Sequence, residues 1–232
     1  MSIEYEGQTG NILVISPHPD DETLGCGGTL LKYASQGVKL HWLLVTACDE
    51  NEYSTDAIRT QETQVKQVKE AYPFKKLHWL KYPTTRLEET PITTPIEAFS
   101  SIADEVKPEI VFIPWAHDVH SDHRLVAEAS ASAFKSFYMS RYGIRKILAY
   151  ETLSETEASF QFRETTFTPN VFEDISTTID RKIELFRMYQ TEVQPEPMPR
   201  SESGIKALAR YRGATINCKY AEAFILLREI SK

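Results

Sequence analysis

The chain has 232 residues, of which 41% are hydrophobic and 25% charged, with a formal net charge of −7. These values describe a globular protein with enough chain for a substantial core, read as one domain over residues 1–232. They disfavour a nucleic-acid backbone as partner, and no run approaches the ~20 apolar residues of a membrane span.

Strand-like and helix-like segments alternate through the first two thirds. Residues 11–16 (NILVIS) are apolar and β-branched, and Glu22 to Gln36 carries helical periodicity that stops at Gly37. Val38 to Thr46 reads as a second buried strand. Thr55 to Ala71 reads as a helix capped by Ser54 or Thr55, with Pro73 just past its end. Leu77 to Leu80 is a short third strand, Pro91 to Val106 a helix, Ile110 to Ile113 a fourth strand, Asp122 to Phe137 a helix, and Lys146 to Tyr150 a fifth strand. Such alternation with continuous apolar strands predicts a mostly parallel, doubly wound, Rossmann-like sheet with helices on both faces, an α/β class.

The last third, about 151–232, is less regular. Phe160 to Pro169 is rich in Thr and aromatics and reads as edge strands. Asp180 to Tyr189 has helical spacing, with Ile183, Phe186 and Arg187 on or near one side. Thr191 to Ser203, with three prolines, reads as a loop covering the active site, and Tyr220 to Leu227 as a closing strand or helix.

Two segments carry the chemistry. His18-Pro19-Asp20-Asp21-Glu22 follows the first strand, and His117-Asp118-Val119-His120-Ser121-Asp122-His123 follows the fourth. Imidazoles and carboxylates crowded at a sheet edge are costly to bury unless something positive joins them. Two strand ends loaded in this way read as one divalent metal site, placed where open α/β sheets bind ligands. Pro19 forces an extended turn, and adjacent aspartates in a turn point apart, so one can ligate a cation while its neighbour faces a water. His120 and His123 are three apart at a helix entry and share a face. Ligands of the His/Asp/His type leave a tetrahedral zinc one exchangeable position, the pattern of a catalytic site. The competing account is helix caps and solvated loop charges, which one cluster alone would not displace.

Gly25, Gly27 and Gly28 hint at a dinucleotide fingerprint, but Leu30 takes the place of its third glycine, so close helix–sheet packing explains them better. Cys26, Cys48 and Cys218 are an odd count without paired spacing. They fit a reducing cytoplasm, as does a polar N-terminus without a signal peptide's apolar core. Cys26 and Cys48 read as small buried residues rather than thiolate ligands. His117 reads as a loop residue, and His41 and His78 as packing or edge residues. Arg86 either reaches the pocket or pairs on the surface. Tyr189, Gln190 and Arg212 are candidates for a substrate-covering segment.

The run Ser16-Pro17-His18-Pro19-Asp20-Asp21-Glu22-Thr23-Leu24-Gly25-Cys26-Gly27-Gly28 resembles the signature of the PIG-L/LmbE-like zinc-dependent deacetylases. His120-Ser121-Asp122-His123 is similar to that family's second motif, Ile58-Arg59-Thr60-Gln61-Glu62 to its Arg-x-x-Glu helix, and Tyr211-Arg212-Gly213 with Tyr220-Ala221-Glu222-Ala223-Phe224 to its C-terminal signature. The resemblance implies that His18, Asp21 and His123 hold zinc, or iron(II) in the cell, and that Asp20 is the general base. It implies that His120 stabilises an oxyanion or protonates the departing amine, that Asp122 orients His120, and that Arg59 binds substrate hydroxyls or phosphate. Glu62 is expected to pair with Arg59. Asp118 is read as supporting His120 or capping the loop.

The expected activity is hydrolysis of an N-acetyl group on an N-acetylglucosamine-type amino sugar or its conjugate, releasing acetate and a free amine. The partner is then a small molecule, and homo-oligomerisation is left open. Two alternatives stand beside it: a metal-dependent hydrolase of phosphoesters, and a nucleotide-binding Rossmann module without chemistry.

Overall fold

A computed structural model describes residues 10–231. The N-terminal segment read as lacking a signal peptide falls largely outside the described residues. Strand β1 (Asn11–Ser16) lies between β2 (Lys39–Ala47) and β4 (Pro108–Pro114), parallel to both. With β3 (Lys76–Pro83), β5 (Lys146–Tyr150), β6 (Val171–Asp174) and β7 (Ala221–Glu229), the sheet runs β3-β2-β1-β4-β5-β7-β6. Among the described residues β7 alone runs against the common strand direction, pairing antiparallel with β5 and β6.

The continuous apolar character of β1 follows from cover on both faces. Successive side chains point to opposite sides. Ile12 and Val14 enter one core with residues of helices α1 (Asp21–Ser35), α2 (Thr55–Ala71), α6 (Ile179–Phe186) and α7 (Glu202–Thr215). Leu13 and Ile15 enter the other with α3 (Thr93–Val106), α4 (Ser121–Ala133) and α5 (Ser136–Tyr142). The chain changes faces between β3 and β4, so the strand order reverses at the β1/β4 pair. The crevice beyond the carboxyl ends of these two strands is the ligand position of such sheets.

Helix α1 is broken at Cys26 (φ −143°, ψ 17°). The break frees the amides of Gly28 and Thr29, and the Glu222 carboxylate on β7 accepts both, at 2.9 and 2.7 Å. Lys182 of α6 donates to the same carboxylate at 2.7 Å and to the Leu24 carbonyl at 2.8 Å, completing a buried ion pair. A Cβ on Gly25 would drive into the Tyr150 ring, so this glycine serves close helix–sheet packing, not phosphate binding. Cys26 is buried and its thiol bonds the Glu22 carbonyl.

Four expectations need correction. The helix expected over Asp122 to Phe137 is two, with the chain leaving helical geometry at Phe134 and Lys135. Phe160 to Pro169 forms turns rather than edge strands. The Thr165 and Thr166 hydroxyls bond carbonyls three to five residues back and compete with strand pairing. Arg187 points away from the buried side of α6, pairing with Glu202. Thr191 to Ser203 is not loop throughout, because α7 begins inside it at Glu202, capped by the Ser201 hydroxyl on the Gly204 amide at 3.1 Å. Among the described residues no helix is long and apolar enough to cross a membrane.

Candidate metal centre and active site

The end of β1 delivers His18 and the start of α1 delivers Asp20 and Asp21. Asp20 has φ 112°, a left-handed conformation that costs a non-glycine residue about 1–3 kcal/mol and persists where the surroundings enforce it. Here the Thr23 and Leu24 amides hold the Asp20 carbonyl at 2.9 and 2.8 Å, starting the helix. The turn sends the two neighbouring carboxylates apart.

Asp21 Oδ2 accepts from the His18 amide at 2.8 Å and lies 3.4 Å from His18 Nδ1 and 3.3 Å from His123 Nε2. The ligand atoms of His18, Asp21 and His123 fall within 4.8 Å of one another. His18, His120 and Asp122 form a second such group. The two groups differ in what their lone pairs already do. Asp122 Oδ2 takes the His18 Nε2 contact at 3.0 Å and the Thr85 amide at 2.8 Å, and its Oδ1 takes the Leu87 amide at 3.3 Å. His120 Nδ1 accepts from the Asp122 amide at 3.1 Å, capping α4. In the first group Asp21 Oδ1 and His123 Nε2 are buried without a hydrogen-bond partner. Buried polar atoms without a partner are rare in folded proteins, and a divalent cation would satisfy them. The His/Asp/His donor set fits such an ion at the first group.

Electrostatics point the same way. Burial opposes a charged His123, yet Asp21 and Asp118 hold its pKa up to about 10. Burial also acts against the Asp21 anion, but His123 and His18 outweigh it and keep this carboxyl well below its ordinary value. The pocket thus demands positive charge. Burial pushes the Asp20 carboxyl well up, opposed by Arg200. Burial, with the nearby His18, pushes His120 down to about 4, so its ring is neutral. With Nδ1 accepting, the proton of that neutral ring sits on Nε2.

Each histidine of the first group has a carboxylate behind it. Asp118 Oδ2 lies 2.9 Å from His123 Nδ1, and its Oδ1 accepts from the Thr156 hydroxyl at 2.6 Å. Two expected roles are therefore corrected. The Asp122 carboxylate bonds His18 rather than His120, because His120 takes the Asp122 amide and the carboxylate turns to the opposite side. Asp118 backs His123, not His120.

A cavity of about 320 Å³ opens above this floor. His18, Asp20 and His120 line it, with Cys48, Tyr53, Gln61 and Gln64 on one side and Glu155, Tyr189, Thr191, Glu192 and Arg200 on the other. Arg59 does not line it. It lies on an exposed face of α2 beside a separate depression with Met188 and Gln190, and Glu62 pairs with Lys81 at 2.7 Å instead of with Arg59. Arg86 pairs with Asp49 at 2.8 Å, Arg212 with Glu151 at 2.6 Å, and His117 packs edge-on against Trp115.

Arg200 was not legible as a site residue. It donates to Asp20 at 2.9 Å, Glu192 at 3.0 Å and Glu155 at 3.1 Å. The signal available was a lone cation inside the proline-rich 191–203 segment, which supplies Thr191, Glu192 and Arg200 to the cavity wall.

The family model for PIG-L, GlcNAc-PI de-N-acetylase, matches residues 13–134. Diacetylchitobiose deacetylase of Thermococcus kodakarensis is 27% identical over 224 residues, covering 91% of this chain and 80% of that protein. The structure of N,N'-diacetylchitobiose deacetylase from Pyrococcus horikoshii superposes with a TM-score of 0.73 at 21% identity, covering 97% of this chain and 88% of the other. The same fold occurs in a 4-carboxy-2-hydroxymuconate hydratase from Pseudomonas putida, with a TM-score of 0.73 at 16% identity, covering 96% of this chain and 98% of that one. Fold alone therefore does not fix the reaction. The match over more than half of the sequence does fix the kinship: this chain belongs to the PIG-L family of de-N-acetylases.

Proposed function

We propose that the protein is a zinc-dependent deacetylase that hydrolyses the acetamide of an N-acetylglucosamine-type amino sugar or conjugate. The observation that carries this reading is the meeting of His18, Asp21 and His123 beneath one cavity, with Asp20 and His120 on its wall. His18, Asp21 and His123 would hold the ion. Bound there, zinc supplies Lewis acidity that polarises an amide carbonyl and acidifies water; iron(II) suits the same donors.

The remaining work falls to side chains. Asp20, a buried carboxylate with a raised pKa, is suited to take a proton from the attacking water and return it to the departing nitrogen. His120, neutral with its proton on Nε2, donates a hydrogen bond to the oxyanion of the tetrahedral adduct; one such donor is worth roughly 2.7–4 kcal/mol in other hydrolases. Collapse breaks the C–N bond and releases acetate and a free amine. Asp118 and Asp122 fix the ring orientations of His123 and His18. Arg200 keeps three carboxylates in place around the cavity. The three free cysteines accord with action in a reducing cytoplasm.

The test is acetate release from N-acetylglucosamine conjugates. Activity abolished by a chelator and restored by zinc supports the reading. Release of phosphate from phosphoesters without acetate release from any amide would refute it.

A further inference from the structure

We propose, resting on the deacetylase reading, that the cavity selects an uncharged amino-sugar conjugate and rejects one carrying a carboxylate or phosphate beside the acetamido ring. Anion recognition needs a cation with free donors. The one arginine of the cavity has four of its five N–H donors committed, to Asp20, Glu192, Glu155 and the Ser154 hydroxyl, and its single positive charge is outnumbered by three carboxylates. The three carboxylates also form a gradient. Their side chains are 2%, 12% and 37% exposed respectively, so the negative charge runs from floor to mouth. The acetyl end of a substrate meets the His18/Asp21/His123 floor, while the conjugate end meets Glu192.

Arg59, which makes no ion pair among the described residues, lines a separate depression outside the cavity. Gln64 and Thr191 stand between the cavity and its depression, joined by a hydrogen bond of 3.4 Å. Among the other polar groups of the cavity, Tyr53, Gln61 and Thr84 are neutral and match hydroxyls. Gln61 spends its carbonyl on the Cys48 amide at 2.9 Å, which leaves its NH₂ for a sugar.

The experiment compares the zinc-loaded full chain on N,N'-diacetylchitobiose, on N-acetylglucosamine glycosidically linked to malate, and on N-acetylglucosamine 1-phosphate. It reads kcat/KM for each and, by calorimetry, the affinity for each free-amine product. The neutral substrate should exceed both anionic ones by at least about tenfold in kcat/KM, and its product should bind more tightly. Added salt and Glu192→Gln should each narrow that gap. Equal or better turnover of an anionic substrate would overturn the proposal, most directly if that preference vanished in Arg59→Ala. No turnover of any substrate, with the same order of product binding, would refute the deacetylase reading while upholding charge selection. No turnover and no binding would refute both.

Discussion

Oδ2 of Asp118 lies 2.9 Å from Nδ1 of His123, with both side chains fully buried. This contact directs Nδ1–H at Asp118 and leaves Nε2, on the Asp21 side, as the nitrogen a cation would take in place of its proton. Asp118→Ala should therefore weaken zinc affinity by roughly 10–100-fold, the usual effect of removing the carboxylate behind a ligand histidine. Competition with a chromophoric chelator measures it. Asp118→Asn, which keeps an acceptor for Nδ1–H, should recover much of the loss.

Asp20 touches Arg200 rather than the His/Asp/His group. Asp20→Asn should retain one zinc per chain yet lose roughly 10²–10⁴-fold in kcat, the range for a positioned proton acceptor. Parallel metal analysis and acetate release separate the two effects. Near-full kcat in this variant would remove Asp20 from the chemistry.

Glu222 ties β7 to the broken helix α1 and neutralises Lys182. Glu222→Ala leaves a buried ammonium and two orphaned amides, so it should cost about 3–5 kcal/mol in urea unfolding. Replacing both partners, as Lys182→Met with Glu222→Leu, should cost less than Glu222→Ala alone, because no charge is stranded.

His41 is buried with both ring nitrogens unpartnered, beside His78 and facing Lys75, Lys76 and Glu105. Burial, with the neighbouring cations, lowers its pKa to about 4. Above its unfolded pKa of about 6.5 the ring is neutral in both states and contributes no pH dependence. As the pH falls below that value the unfolded chain binds the proton first, so stability drops until the folded ring also titrates near 4. The loss should be on the order of 2 kcal/mol between pH 7 and pH 4.5. Denaturant unfolding of His41→Phe against the parent protein over that range should show a smaller acid loss.

The parallel core was legible because hydrophobic runs such as Asn11–Ser16 need no partner information to be read as doubly covered strands. The converging clusters were legible because each sits just past such a run. What was hidden depends on direction rather than position in the chain. Asp122 is nearer to His120 in sequence, but the helix cap uses the Asp122 amide and swings its carboxylate to His18 and Thr85. Arg200 and α7 were hidden by composition. A stretch of Pro, Ser and Gly reads as loop, although Ser201 caps a helix there and Arg200 folds back 180 positions to Asp20.

Whether the tips of β1 and β4 grip one cation together is decided by metal analysis of zinc-equilibrated, dialysed protein, comparing the parent with His18→Ala and His123→Ala, each checked for folding by circular dichroism. About one zinc per chain is expected in the parent and almost none in either variant. Folded variants that keep stoichiometric zinc would contradict it.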